Sequence, residues 1–171
     1  LYSSAASDVY KRQALVATRR DGVYVLDYQT MRLKRLFSGS NNILQGAYLS
    51  SNGYIYLSFW GQGLFCYEKT GKFIKRYTKE NSDLTNNYVL DIVEKEGFLW
   101  LATDGGGINR LELSNENFSN LYHIAGDKNS LPVNSVTILY KDENEGLWAG
   151  SVRGGVFNIK ESLSLIHISE P

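Results

Sequence analysis

An internal repeat constrains this chain more than any other feature. Four segments align on a glycine followed by an apolar residue: residues 19–27 (RRDGVYVLD), 61–69 (GQGLFCYEK), 105–113 (GGGINRLEL) and 153–161 (RGGVFNIKE). The aligned glycines are Gly22, Gly63, Gly107 and Gly155. Seven residues before the last three stand Tyr56, Trp100 and Trp148, and Leu15 takes that place in the first copy. Asn42, Asn86 and Asn134 lie fourteen residues before those aromatics, so asparagine to glycine spans 21 residues in three consecutive copies. Repetition at periods of 41, 44 and 48 residues marks an architecture in which each unit buries its apolar faces on its neighbours.

Each copy reads as four short strands. In the third copy these are 89–95 (VLDIVEK), 98–104 (FLWLATD), 107–113 (GINRLEL) and 117–124 (NFSNLYHI), separated by Gly, Asn, Ser and Glu turn signals. The inner strands 43–49, 89–95 and 136–142 carry apolar residues on both faces, as a strand covered on both sides requires. The outer strands 32–37 (RLKRLF) and 72–78 (KFIKRYT) alternate with Lys and Arg, which guards an exposed sheet edge. Four antiparallel strands, apolar inside and charged outside, describe a β-propeller blade. The fold expected is all-β: about three and a half four-stranded blades forming an open arc. Residues 14–39 would be a partial blade, 40–80 and 81–125 whole blades, and 126–162 a second partial blade. A closed ring takes roughly four to eight blades, so the parent protein is expected to continue in both directions.

The two ends read differently from this pattern. Residues 8–13 (DVYKRQ) and 163–168 (LSLIHI) can be encoded by complementary DNA strands, as a transposon-end sequencing adapter would give. Residues 1–13 and 163–171 are therefore expected to be adapter-derived, with no role for His167. Excluding them leaves 16 basic and 16 acidic residues. That balance offers no basic stripe for nucleic acid. No apolar run is long enough to span a membrane. One cysteine, Cys66, and one remaining histidine, His123, make a disulfide framework or a Cys/His metal cage a poor expectation. No cofactor, metal or catalytic residue is assigned.

Length variation points to where ligands would bind. From each glycine to the aromatic closing the outer strand (Phe37, Tyr77, Tyr122) the chain runs 15, 14 and 15 residues, but from that aromatic to the next asparagine 5, 9 and 12. Nearly all variation thus falls in the connection from one blade to the next. Antiparallel alternation puts that connection on the same ring face as the turns between second and third strands. A rigid scaffold with variable loops on one face is a common binding-site arrangement. The turns supply Arg19, Arg20, Phe59, Trp60, Gln62, Asp104 and Arg153 as candidate ligand-binding residues. An exposed indole beside polar side chains suits the apolar face and hydroxyls of a sugar. Trp60 leads, because it sits in a turn, whereas Trp100 and Trp148 recur inside a strand and are expected to be blade-packing core. Residues 142–146 (DENEG) resemble the start of a calcium loop, but Arg153 stands where the closing glutamate is needed; a hairpin turn is expected there. The glycine clusters lack the strand–loop–helix of a phosphate loop, and Cys66 is expected to be a small buried hydrophobe.

Residues 130–159 carry Leu131, Pro132, Asn134, Val136, Asp142, Gly146, Leu147, Trp148, Gly154 and Gly155. In this they resemble the two-component regulator propeller repeat. The copy at 82–111 matches through Leu84, Asn86, Val89, Gly97, Leu99, Trp100, Gly106 and Gly107, with Thr85 in place of Pro and Glu94 in place of Asp. The resemblance implies a segment of a seven-bladed propeller in the periplasmic sensor of a hybrid two-component histidine kinase, of the type found in Bacteroidetes. A glycan or its breakdown product would be the ligand, and the remaining blades, downstream sensor modules and a second parent chain the partners. Such a segment would contact neither nucleic acid nor membrane and would be non-catalytic. Two alternatives are a protein-interaction scaffold and part of a propeller lyase.

Overall fold

The computed structural model describes residues 13–38 and 43–159, in fourteen strands and no helix. The expectation that the termini are adapter-derived falls, apart from Gln13, outside the described residues, as does Asn42. Gln13 opens the first strand, opposite Asp27.

Four antiparallel sheets follow one another along the chain. The first holds β1 (Gln13–Ala17), β2 (Gly22–Asp27) and β3 (Arg32–Ser38). The second holds β4 (Leu44–Leu49), β5 (Tyr54–Phe59), β6 (Leu64–Glu68) and β7 (Phe73–Tyr77). The third holds β8 (Val89–Lys95), β9 (Phe98–Thr103), β10 (Ile108–Glu112) and β11 (Phe118–Leu121). The fourth holds β12 (Ile138–Lys141), β13 (Leu147–Ser151) and β14 (Gly155–Ile159). The strand orders are simple meanders of hairpins. This is the all-β propeller arc that the repeats require.

Period-two alternation explains how the sheets stack. In β9, Leu99 and Leu101 enter one core with Tyr56, Leu64 and Tyr77 of the second sheet, while Trp100 and Ala102 enter another with Leu139, Leu147 and Ala149 of the fourth. In β5, Ile55 and Leu57 face Leu15, Ala17 and Val23 of the first sheet, and Tyr56 faces the third. Each core lies between consecutive blades, so each blade buries its apolar faces on its neighbours. Cys66 is buried in the core between the second and third.

The recurrent aromatic of the second and third blades therefore faces the next blade. Tyr56 and Trp100 are buried there. Trp148 departs from the expected core role: it is 38% exposed, because no blade among the described residues follows β14. Its indole N–H donates instead to the Asp142 carboxylate at 2.8 Å. That bond, followed by the Gly146 N–H, holds Asp142 below the usual carboxylate range. Residues 142–146 form the β12–β13 hairpin turn, in which Asp142 Oδ1 accepts the N–H groups of Asn144 and Gly146.

The asparagine spacing needs a correction. Gly63 N–H donates to the Asn87 carbonyl (2.8 Å) and Gly107 N–H to that of Asn134 (2.7 Å). The side-chain Oδ1 of Asn87 accepts the Lys79 N–H, and that of Asn134 the His123 N–H. Asn87, not Asn86, is thus the counterpart of Asn134. The distance from Asn87 to Gly107 is 20 residues. The β8–β9 hairpin accounts for the missing residue. It turns on Glu96 and Gly97 alone, both left-handed (φ 54° and 78°), the two-residue form that matches strand twist.

Candidate functional site

One ring face collects the turns between second and third strands and the connections between blades. At Gly63 and Gly107 a Cβ would lie 2.2 Å from the Tyr77 carbonyl oxygen and 2.1 Å from that of Leu121. Only glycine lets the turn approach the end of the outer strand so closely, and both adopt positive φ. This close approach anchors each turn against the loop leading to the next blade.

The structure brings Trp60 and Asp104 into one line through a residue that the sequence reading passed over, Tyr88. Trp60 is 49% exposed and Tyr88 40%. Their rings meet edge to face with centroids 5.1 Å apart, a favoured aromatic geometry. Gly61 gives Tyr88 room, since a Cβ there would lie 3.2 Å from its ring. The Trp60 N–H is fixed by the Ile43 carbonyl at 2.8 Å. The Tyr88 carbonyl accepts the Asp104 N–H at 3.0 Å, and the Asp104 carboxylate accepts the Ser135 hydroxyl. Asn86 closes the loop, its Oδ1 accepting the Tyr88 N–H and its Nδ2 donating to the Asp104 carbonyl. Trp60 and Asp104 each stand three residues before an aligned glycine, and Tyr88 and Ser135 each follow a latching asparagine. The same joint between blades is thus a ring pair in one place and a hydrogen bond in the next. Tyr88 had one legible signal, an aromatic in a variable connection directly after the paired asparagines.

Gln62 supplies structure to this region through its backbone: its N–H donates to the Phe59 carbonyl (2.9 Å), and its carbonyl accepts Arg76 Nε (2.7 Å). The guanidinium of Arg76 lies over the Phe65 ring at 4.9 Å. Arg19, Arg20 and Phe59 gather elsewhere, around a cavity between the first two blades. Arg153 stands apart, exposed in the β13–β14 turn. No group of three or more His, Cys, Asp or Glu that could hold a metal is found among the described residues. His123 Nδ1 lies 2.7 Å from the Leu131 carbonyl oxygen, a contact that anchors the loop.

Comparison with known proteins places this geometry. The two-component regulator propeller repeat matches residues 83–105, the stretch from the Leu84 turn through β8 and β9 to the turn at Gly105. No curated protein matches the chain. Among solved structures, the extracellular domain of a hybrid two-component system from B. thetaiotaomicron is similar with a TM-score of 0.69 and 18% identity, over 93% of this chain and 22% of that one. A chain of the mitotic checkpoint complex is similar at TM-score 0.61 and 13% identity, over 88% and 44%. PorZ of the Porphyromonas gingivalis type-IX secretion system is similar at 0.59 and 11%, over 88% and 23%. These likenesses are of fold, and the chain spans about a fifth of the length of the two-component domain it resembles. Residues 83–105 of this chain match the two-component regulator propeller repeat and lie within an arc of propeller blades.

Proposed function

We propose that this chain is a segment of the ligand-sensing propeller of a hybrid two-component system, lying on the periplasmic side of the inner membrane. Its ligand on this reading is an oligosaccharide. The segment binds and does not catalyse; a histidine kinase outside it carries the signal, through further blades and downstream modules, in a parent that pairs with a second copy. The observation that carries the reading is Trp60, an indole half exposed on the variable-loop face and held edge to face by Tyr88. The repeat at residues 83–105 supports the two-component context. No helix among the described residues is long and apolar enough to cross a membrane.

A sugar ring stacking on Trp60 would bury its apolar face and leave its hydroxyls toward the Tyr88 hydroxyl and the Asn86–Asp104 loop. Calorimetric titration of the chain with a panel of plant and host-glycan oligosaccharides tests this. At least one oligosaccharide is expected to bind, and Trp60→Ala to weaken it about tenfold or more, as for an aromatic anchor. Equal binding by wild type and Trp60→Ala would remove the glycan site from this face.

A further inference from the structure

The first two blades leave a cavity of about 410 Å³ between them, a size in the range of small-molecule sites. Its walls include Phe37 of β3, Phe59 of β5, and Phe65 and Tyr67 of β6; Arg19 and Arg20 of the β1–β2 turn supply its charge. The rings brace one another. Phe37 and Tyr67 lie 4.6 Å apart between centroids, Phe59 meets Phe65 edge to face at 5.2 Å, and Phe65 stacks parallel to Tyr67 at 6.4 Å. No carboxylate stands among the lining residues.

The arginine turn is held in place before any ligand arrives. The Thr18 hydroxyl oxygen accepts the N–H groups of Asp21 (3.0 Å) and Gly22 (2.7 Å). The Arg19 carbonyl accepts the Leu44 N–H at 3.0 Å, and Arg35 donates to the Asp21 carbonyl at 2.8 Å. The acid nearest in sequence, Asp21, has its carboxylate engaged by the Tyr24 hydroxyl. Among the described residues, no carboxylate lines the cavity beside Arg19 and Arg20. A guanidinium suits the planar fork of a carboxylate.

We propose that this cavity is a second binding site, for a small carboxylate with an aromatic or apolar body. The ring lies among Phe37, Phe59 and Tyr67, and the carboxylate pairs with Arg19 and Arg20. A neutral sugar would leave both arginines unpaired and the aromatic wall unfilled. Neither Trp60 nor Tyr88 lines this cavity, so either site can fail without the other.

The test is calorimetric titration of the whole chain with 3-phenylpropionate, its neutral amide and propionate. The acid is expected to bind, with the amide and propionate each about tenfold weaker. Arg19→Gln/Arg20→Gln is expected to weaken the acid by a similar factor, and Trp60→Ala to leave it unchanged. Amide N–H shifts on titration are expected at Val23 and Leu57. If a thermal melt shows the double variant unfolded, the acid-to-amide comparison on wild type decides. Equal binding of acid and amide, no binding of the acid at millimolar concentration, or shifts confined to residues outside the cavity would overturn the proposal.

Discussion

The carboxylate of Asp91 in β8 accepts the backbone N–H of Leu139 in β12 at 2.8 Å, tying the inner strands of two blades together through a side chain. Its other oxygen accepts the N–H of Ile92. Gly46 and Ile138 hold the equivalent register positions in the neighbouring blades, opposite Ser58 and Gly150 as Asp91 is opposite Ala102. Asp91→Ala should lower unfolding free energy by about 1–3 kcal/mol at neutral pH, since Leu139 loses its acceptor. Denaturant melts of both proteins check this.

Asp91 also gives a pH signature. Burial raises its pKa above the ordinary aspartate value, against the smaller opposing effect of the Leu139 and Ile92 N–H groups. The folded state then binds this proton more tightly than the unfolded chain. Stability contributed by Asp91 therefore falls as pH rises from the unfolded value through the raised folded one, and levels off above it. The difference in stability between wild type and Asp91→Ala should shrink across that window. A difference that grows with pH there would contradict the assignment.

Thr85 stands where the repeat expects proline, and its backbone N–H needs an acceptor that Pro132 does not. Asn109, fully buried, supplies it at 2.9 Å and receives Thr85 Oγ1 as an acceptor in return at 2.8 Å. Two residues after the aligned glycine, where β10 has Asn109, β14 has Phe157. Asn109→Leu should cost about 1–3 kcal/mol by stranding the Thr85 N–H, and adding Thr85→Pro should recover part of that loss. A double-mutant cycle by thermal melt measures the coupling.

The turn glycines of positive φ should not be equally tolerant. Gly97→Ala meets open space and incurs only left-handed backbone strain, about 1–2 kcal/mol. Gly107→Ala adds a collision with the Leu121 carbonyl and should cost about 3 kcal/mol or more. Comparable losses at both positions would mean that the turn does not press on the outer strand.

The two strand tryptophans should also separate. Trp100→Ala, emptying the core between the third and fourth blades, should cost about 3–5 kcal/mol. Trp148→Ala should cost far less in stability and reduce self-association, because Trp148, Ile138 and Tyr140 form an exposed apolar face on the last blade. Sedimentation of the two variants at matched concentration distinguishes the effects.

The blade count, the strand order and the face that gathers the variable loops were legible in the sequence, because period-two patterning and the glycine spacing are local signals. Trp100 buried and Trp148 exposed were not separable, since the same repeat position meets a neighbouring blade among the described residues in one case only. The latch at Asn87 was misread by one residue. The shortened Glu96–Gly97 hairpin compensated in the count, and only the hydrogen bonds to Gly63 and Lys79 reveal the register. Trp60 was visible as a turn aromatic. Its pairing with Tyr88 was not, because the two lie in different blades and meet only when the loop folds over Gly61. Arg19, Arg20 and Phe59 were grouped with Trp60 by face, whereas the structure gathers them around a separate cavity.

The three indole N–H resonances report directly on whether the Trp60 face binds an oligosaccharide. Nitrogen-15 spectra of the chain, titrated with an oligosaccharide that binds calorimetrically, should show the Trp60 indole signal moving in a saturable way while the buried Trp100 signal stays fixed. Movement of Trp148 or Trp100 with Trp60 unchanged would rule out the Trp60 site and place the binding surface on a blade face instead.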